Sequence, residues 1–536
     1  MFRFIVAVAA LCGLGLLVVA QTSDLTGPWY GSFSPAGTPM EISVIFQRSG
    51  DNWTGSLVLA DGRGIPLKEV RATGNSVSFL IDVLQAKAAF KGTLSADRSE
   101  LTGEFIQDPS RFPLKLTRNS SAAITNSVPQ MDPNELIAMM TSLNGPLSER
   151  PFVPPVGHPA IGYGTRPTRD PIAQLIADIE AGKIHLKFEG EQGYLRSLLD
   201  ALHIPVESQM AVFSRTSVQG QAIGPQNPRV LYFNDSVVVG SVRGGFIEIA
   251  SQDPELGASF YTLLQQPVDN PLLLKRDVCL GCHLTRNSLD IPGMIVRSVY
   301  PASNGDPINP LGSHLLDHRT PLEQRWGGWY VTGKSGSMRH LGNGVVSDPA
   351  KPELMVTDAT LNLQTLKGRF QTDAYLSPYS DIVALMVFDH QMHMMNLITR
   401  VGWDYRFAAS LETEIGKLNG VIEQQLRDDV VEFVDYLLFI KEAPLSGKIQ
   451  GVSGFAEKFV SQGPNDSKGR TLRQLDLEHR LMRYPCSYMI YSPAFDGMPE
   501  RAKQAIYARM RDVLNRFTPA DRDAVLEILH DTKRDF

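Results

Sequence analysis

Between residues 24 and 118 apolar and polar residues alternate with a period of two, in short runs that recur roughly every ten residues. The runs are 41–46, 53–59, 76–81, 89–94, 101–106 and 114–116, with turn residues such as Ser49-Gly50-Asp51-Asn52 between them. A strand of this kind has one apolar face. A succession of such strands buries that face by closing on itself or by packing a second sheet against it. The segment is therefore predicted to be an all-β barrel or sandwich.

The chain changes character after residue 118. Residues 119–160 begin with Asn119-Ser120-Ser121, carry the turn signal Asn144-Gly145-Pro146 and then hold Pro151, Pro154, Pro155 and Pro159. This reads as a linker, interrupted by one short helix over 133–142. Residues 161–536 form one large mixed region. Helical spacing marks 171–181 and 193–202, and a hairpin is predicted from 230–233 and 237–239 around Asn234-Asp235. A further strand covers 246–250, and from 380 onward the pattern is mostly helical. Near the end, Thr518-Pro519-Ala520-Asp521 supplies an N-cap, a proline in the first turn and an acid three residues after the cap. The predicted class is α+β and multidomain: an all-β module followed by a large mixed, mainly helical domain.

The first twenty residues, MFRFIVAVAALCGLGLLVVA, place one positive charge ahead of a short apolar run that ends in small residues. This is the pattern of a secretory signal peptide cleaved before Gln21. An uncleaved anchor is the competing reading, because the run is near the lower length for spanning a bilayer. Cys12 would leave with the signal, and no further transmembrane span is expected. The mature chain is expected to be exported, periplasmic in a bacterium. Its formal charge of −6, from 51 Lys+Arg against 57 Asp+Glu, offers no basic surface for nucleic acid. Four cysteines in 536 residues exclude a disulfide-built scaffold.

Residues 279–283 read Cys-Leu-Gly-Cys-His, the attachment pattern of c-type haem. Two thiols three residues apart add across the two vinyl groups of a porphyrin, and the adjacent histidine lies under the ring to ligate iron. At this chain's Cys and His frequencies, chance yields on the order of 0.001 such matches. A zinc ribbon would need a second cysteine pair, and only Cys486 remains. A thioredoxin-type pair would need a strand-to-helix setting that residues 271–277 do not clearly supply, and a plain disulfide would not need His283. The expected cofactor is one covalent haem c on Cys279 and Cys282, with His283 as the proximal iron ligand.

Several stretches resemble known groups. Gly27-Pro28-Trp29 with its turn-strand repeats is similar to lipocalin-like barrels and to a β module at the N-terminus of some exported bacterial proteins. The segments at 210–217, 231–235, 325–333 and 483–488 resemble an uncharacterised group of exported bacterial mono-haem cytochrome c-like proteins. That resemblance implies a cofactor and an exported location, where haem is attached after translocation. It implies no particular reaction.

Electron-transfer haems usually carry Met or His opposite the proximal histidine. The strongest helix prediction, over 380–400, puts Val383, Met386, Val387, His390, Met394 and Leu397 on one stripe. His390 and Met394 are thus the first candidates for the distal ligand, then Met338, then His318 and His340. Each has a competing role as a hydrogen-bonded core histidine or a packing methionine. Trp326, Trp329 and Tyr330 read as a buried aromatic cluster, and Cys486 as a buried thiol. The expected function is single-electron transfer between protein redox partners. The alternatives are a haem enzyme of peroxidase or oxidase type with an open sixth position, and a haem-based sensor whose β module binds a ligand.

Overall fold

The computed structural model describes residues 25–33, 40–49, 52–58, 64–83, 86–107, 110–118, 152–269 and 271–536. The signal peptide read over 1–20, with Cys12, and the part of the linker up to residue 151, with its helix over 133–142, lie outside the described residues. The chain divides into two compact units, Met1–Ala123 and Ile124–Phe536.

The first unit is an eight-stranded antiparallel barrel. Its strands are β1 (Gly27–Phe33), β2 (Met40–Ser49), β3 (Asn52–Val58), β4 (Gly64–Thr73), β5 (Ser76–Val83), β6 (Ala86–Leu94), β7 (Glu100–Gln107) and β8 (Ser110–Thr117). Each pairs with the next, and β8 returns to β1 with Gly31 opposite Leu116. The alternating residues point inward, and Val44, Phe46, Val77, Phe79, Phe90, Leu101 and Leu114 are all buried. The rings of Phe46, Phe79 and Phe90 fill the interior in series, at 5.6 and 5.0 Å between centroids. Trp29 is wholly buried, its Nε1–H donating to the Leu25 carbonyl at 2.9 Å, and the Arg118 guanidinium covers its ring at 4.5 Å.

Strand β4 escaped the alternation because a bulge changes its phase. Its register against β5 shifts between Lys68 and Arg71, where Glu69 takes a positive φ of 50°. Leu67 is buried before the bulge, while Val70 and Ala72 pack inward after it, so no single period of two runs through the strand.

The second unit is built on a seven-stranded antiparallel sheet. Its strands are β9 (Met210–Val212), β10 (Arg229–Phe233), β11 (Val237–Ser241), β12 (Ile247–Asp253), β13 (Gly257–Leu263), β14 (Leu273–Lys275) and β17 (Trp329–Tyr330), in the order β14-β13-β12-β11-β10-β9-β17. A separate hairpin pairs β15 (Arg297–Val299) with β16 (Ser313–Leu315). The helices are α1 (Pro171–Glu180), α2 (Leu195–Ala201), α3 (Leu280–His283), α4 (Ile382–Ile415), α5 (Gly420–Leu437), α6 (Phe455–Val460), α7 (Pro493–Asp496), α8 (Glu500–Leu514) and α9 (Pro519–Thr532). One sheet face carries Val230, Tyr232, Val239, Ile249 and Tyr261, and packs with α1 and α2. The other carries Leu231, Phe233 and Val238, and packs on α4, where Phe233 and Phe388 meet edge to face at 5.1 Å. None of the helices among the described residues is long and apolar enough to cross a membrane.

Helix α4 corrects the expectation of a single apolar stripe. It runs 34 residues, and its first thirty are buried on almost every side. It is a central helix, so its polar residues are enclosed as fully as its apolar ones. Asp381 fixes its start. The carboxylate accepts from Val383 N and Ala384 N at the helix N-terminus, and from Val452 N and Ser453 N of a distant loop. The described end of the expected linker is also enclosed: Phe152 is buried, its N–H donating to Gln425 and its carbonyl accepting from Arg400. The packed core of the second unit thus includes Phe152.

Candidate functional site

A short 3₁₀ turn, Asp277–Cys279, runs directly into α3, so Cys279 and Cys282 lie one turn apart on the same side. The two thiols are not joined to one another. Cys282 is exposed and Cys279 half-buried, and a Cβ on Gly281 would meet open space. Leu280 points the other way and packs on Ile161, Tyr163, Leu256, Ile291 and Trp403. The motif is anchored through its second residue and leaves Cys282 open to solvent.

His283 is held at both ends of the residue. Its carbonyl accepts from Gly293 N at 2.9 Å, and its Nδ1 donates to the Gly293 carbonyl at 3.0 Å. That tautomer leaves the Nε2 lone pair unused, and among the described residues no hydrogen bond engages it. A metal-ligating histidine is usually oriented in this way, by donating its other nitrogen to a carbonyl. The ring rests on Phe260 of β13, 4.7 Å between centroids. Burial lowers the pKa of its imidazole, which keeps the ring neutral as a ligand must be.

Gly293 is held in turn from α4. Asn396 accepts from Met294 N at 3.0 Å and donates to the Met294 carbonyl at 2.7 Å. A Cβ on Gly293 would fall 2.3 Å from Asn396 Oδ1, so only glycine fits there. The central helix thus sets the position of His283 through Asn396 and Gly293. Neither residue was foreseen. The available signal was a lone asparagine inside an apolar helix.

The donor set fits a c-type haem better than its rivals. Burial pushes the Cys279 thiol up to about 11, opposite to the lowered pKa of a redox-active C-x-x-C pair. Among the described residues no group of three or more His, Cys, Asp or Glu side chains is placed to hold a metal ion, as a zinc ribbon would require. Two thiols on one helical face, with an imidazole nitrogen free beside them, are what a porphyrin needs.

The distal candidates lie elsewhere in the core. His390 and His318 meet each other, Nδ1 to Nδ1 at 2.8 Å, and His390 Nε2 meets Ser487 Oγ at 2.7 Å. Both nitrogens of His390 are therefore engaged. Its ring stacks on Tyr436 and Phe439, at 5.2 and 4.5 Å. His318 Nε2 is buried without a partner. His340 accepts from Gly342 N at 3.1 Å and lies edge-on to Trp326. Met394 is fully enclosed, and Met338 is buried near the Ser335 turn. None of the five shares a hydrogen bond or a ring contact with His283. Trp326, Trp329, Tyr330 and Cys486 are buried, as read from the sequence.

This buried cluster makes stability depend on pH. Burial holds His390 down to about 3 and His340 to about 4, and holds His318 well below 6.5. These rings stay neutral when folded but take a proton on unfolding below about pH 6.5, so their contribution is present above that pH and lost on acidification. Asp389 and Glu442 work the other way, since burial raises both to about 7 and they hold protons in the fold. With His158 and His283 also held down by burial, the lowered histidines outnumber the two raised carboxyls, so stability should fall between pH 7 and pH 5. Urea unfolding at pH 7 and pH 5 checks this, and equal or greater stability at pH 5 would contradict it.

No family model, curated protein or solved structure matches the chain.

Proposed function

We propose that this chain is a mono-haem c-type cytochrome of the exported kind, which carries single electrons between protein redox partners. The observation that carries the reading is His283, whose Nδ1–H is spent on the Gly293 carbonyl and whose Nε2 is free beside two unjoined thiols. Cys279 and Cys282 would hold the porphyrin by thioether bonds and His283 would ligate its iron; the bound haem supplies a one-electron couple. The protein's own share of the work is orientation. Gly293 and Asn396 fix the imidazole, Phe260 supports its face, and Leu280 ties the helical turn to the core.

A second reading, a haem oxidoreductase with an open sixth position, draws support from His390. Its two nitrogens are already taken, so ligation by His390, one of the two first distal candidates, would have to break one buried hydrogen bond. The visible spectrum of the purified ferric protein, then of the ferrous protein with carbon monoxide, separates the two. A low-spin haem indifferent to carbon monoxide is the result expected of the carrier. A high-spin haem that binds it would put the enzyme reading first.

A further inference from the structure

The sheet face that supports His283 carries an ion pair that the haem-site geometry does not use. Phe260, which touches the His283 ring, lies opposite Ala250 in the β12–β13 register, and Thr262 lies opposite Glu248. Opposed residues share a face, so Glu248, Ala250, Phe260 and Thr262 all point to the motif side of the sheet. Glu248 is the diagonal neighbour of Phe260, roughly 7–8 Å away across the strands. Its carboxylate accepts from Arg229 Nη1 at 2.6 Å and from Ser217 Oγ at 2.6 Å.

The same face packs on α4 through Leu231, Phe233 and Val238, and through Gln252, whose Nε2 donates to Thr399 at 2.8 Å. The polar strip is costly there. Arg229 Nε and Thr262 Oγ1 are buried without any hydrogen-bond partner. Each unmet group costs stability, and an apolar strip of the same shape would avoid that cost. A charge kept at such expense beside a motif points to an electrostatic role. Through Phe260 the pair is one residue removed from the His283 ring. Burial works against the Glu248 anion, yet Arg229 and Ser217 outweigh it and hold the carboxyl below its usual range.

We propose that Glu248 is a tuning residue for the haem held at Cys279, Cys282 and His283, lowering its reduction potential, with Arg229 setting how much of that charge is felt. The inference rests on the cytochrome reading above. One-electron reduction removes one positive charge from the iron centre. A fixed carboxylate nearby therefore favours the ferric state, and its field is strong in a partly dry site.

The test is the midpoint potential of the full-length exported protein and of Glu248→Gln, each first measured for covalent haem. Glutamine keeps the shape and can still bond Ser217. The variant should load haem fully and favour the reduced state roughly tenfold more at a given potential, an upward shift of about 59 mV for one electron. Glu248→Asp, which keeps the charge, should stay near the wild-type potential, and Glu248→Ala takes the place of Glu248→Gln if that variant loads poorly. Full haem with an unchanged or lowered potential in Glu248→Gln would overturn this inference alone. Absence of covalent haem from the wild type would overturn the cytochrome reading, and this inference with it.

Discussion

Replacing Cys279 and Cys282 together by alanine is expected to abolish covalent haem and to leave the fold standing. The two thiols are the only pair that can form both thioethers, since Cys486 is wholly buried and far along the chain. The effect on haem is all-or-none because each thioether is a covalent bond. The effect on stability should be small, because Cys282 is exposed, Cys279 half-buried, and the packing of this turn runs through Leu280. An exposed substitution such as Cys282→Ala usually changes stability by no more than about 0.5 kcal/mol, and the half-buried Cys279 adds roughly 1 kcal/mol for its lost contacts. A haem stain after denaturing electrophoresis reads the first effect, and urea unfolding of the haem-free proteins reads the second. A double variant that still carried the stain would remove the motif from the account.

His390→Ala is expected to do the reverse, costing stability heavily while leaving haem attached and its spin state unchanged. The imidazole is wholly buried and bridges His318 Nδ1 and Ser487 Oγ. Its removal strands His318 Nδ1, leaves Ser487 Oγ with only its bond from Met489 N, and opens a void beneath Tyr436 and Phe439. A lost aromatic-sized side chain and a stranded polar atom together cost about 3–5 kcal/mol. Urea unfolding gives the cost, and the ferric spectrum gives the spin state. A variant of near wild-type stability whose haem turned from low to high spin would instead make His390 the distal ligand. Met394 and Met338 would then fall from consideration.

The parts of the fold that were legible are those whose signal is local. Helix α9 begins where Thr518-Pro519-Ala520-Asp521 placed it, with the Thr518 hydroxyl accepting from Asp521 N. The hairpin around Asn234-Asp235 pairs Phe233 with Val238, and Asn234 caps its own turn by accepting from Ser236 N and Val237 N. The barrel strands followed their alternation wherever it was unbroken, and failed at β4, where the bulge shifts the phase. Helix α4 was found but misjudged. Periodicity detects a boundary between apolar and polar faces, and this helix buries Asp389, His390, Gln391, Asn396 and Arg400 as deeply as its apolar residues. Those residues are tolerated because each meets a partner far away in sequence, and such pairings leave no local trace.

The same division holds for the site. The five residues of the motif are readable from spacing alone, because the attachment pattern proposed for them is local in the chain. The clamp behind His283 was invisible, since Gly293 and Asn396 act through the tertiary fold. The pairing of His318 with His390 joins residues 72 apart, and no pattern in the sequence couples them. The Arg229–Glu248 pair was unreadable for a related reason. Each sits in an ordinary strand, and only the sheet register brings both onto the face of Phe260, on which the His283 ring rests.

The central claim is that Cys279, Cys282 and His283 hold a haem covalently. Its most direct test is acid-acetone extraction of the full-length protein, exported from a bacterial host that matures c-type cytochromes. The account predicts that the haem colour stays with the precipitated protein, and that peptide mass mapping finds the porphyrin on the peptide containing Cys279 and Cys282. Haem passing wholly into the organic phase, or a protein purified without haem and with both thiols free, would contradict it.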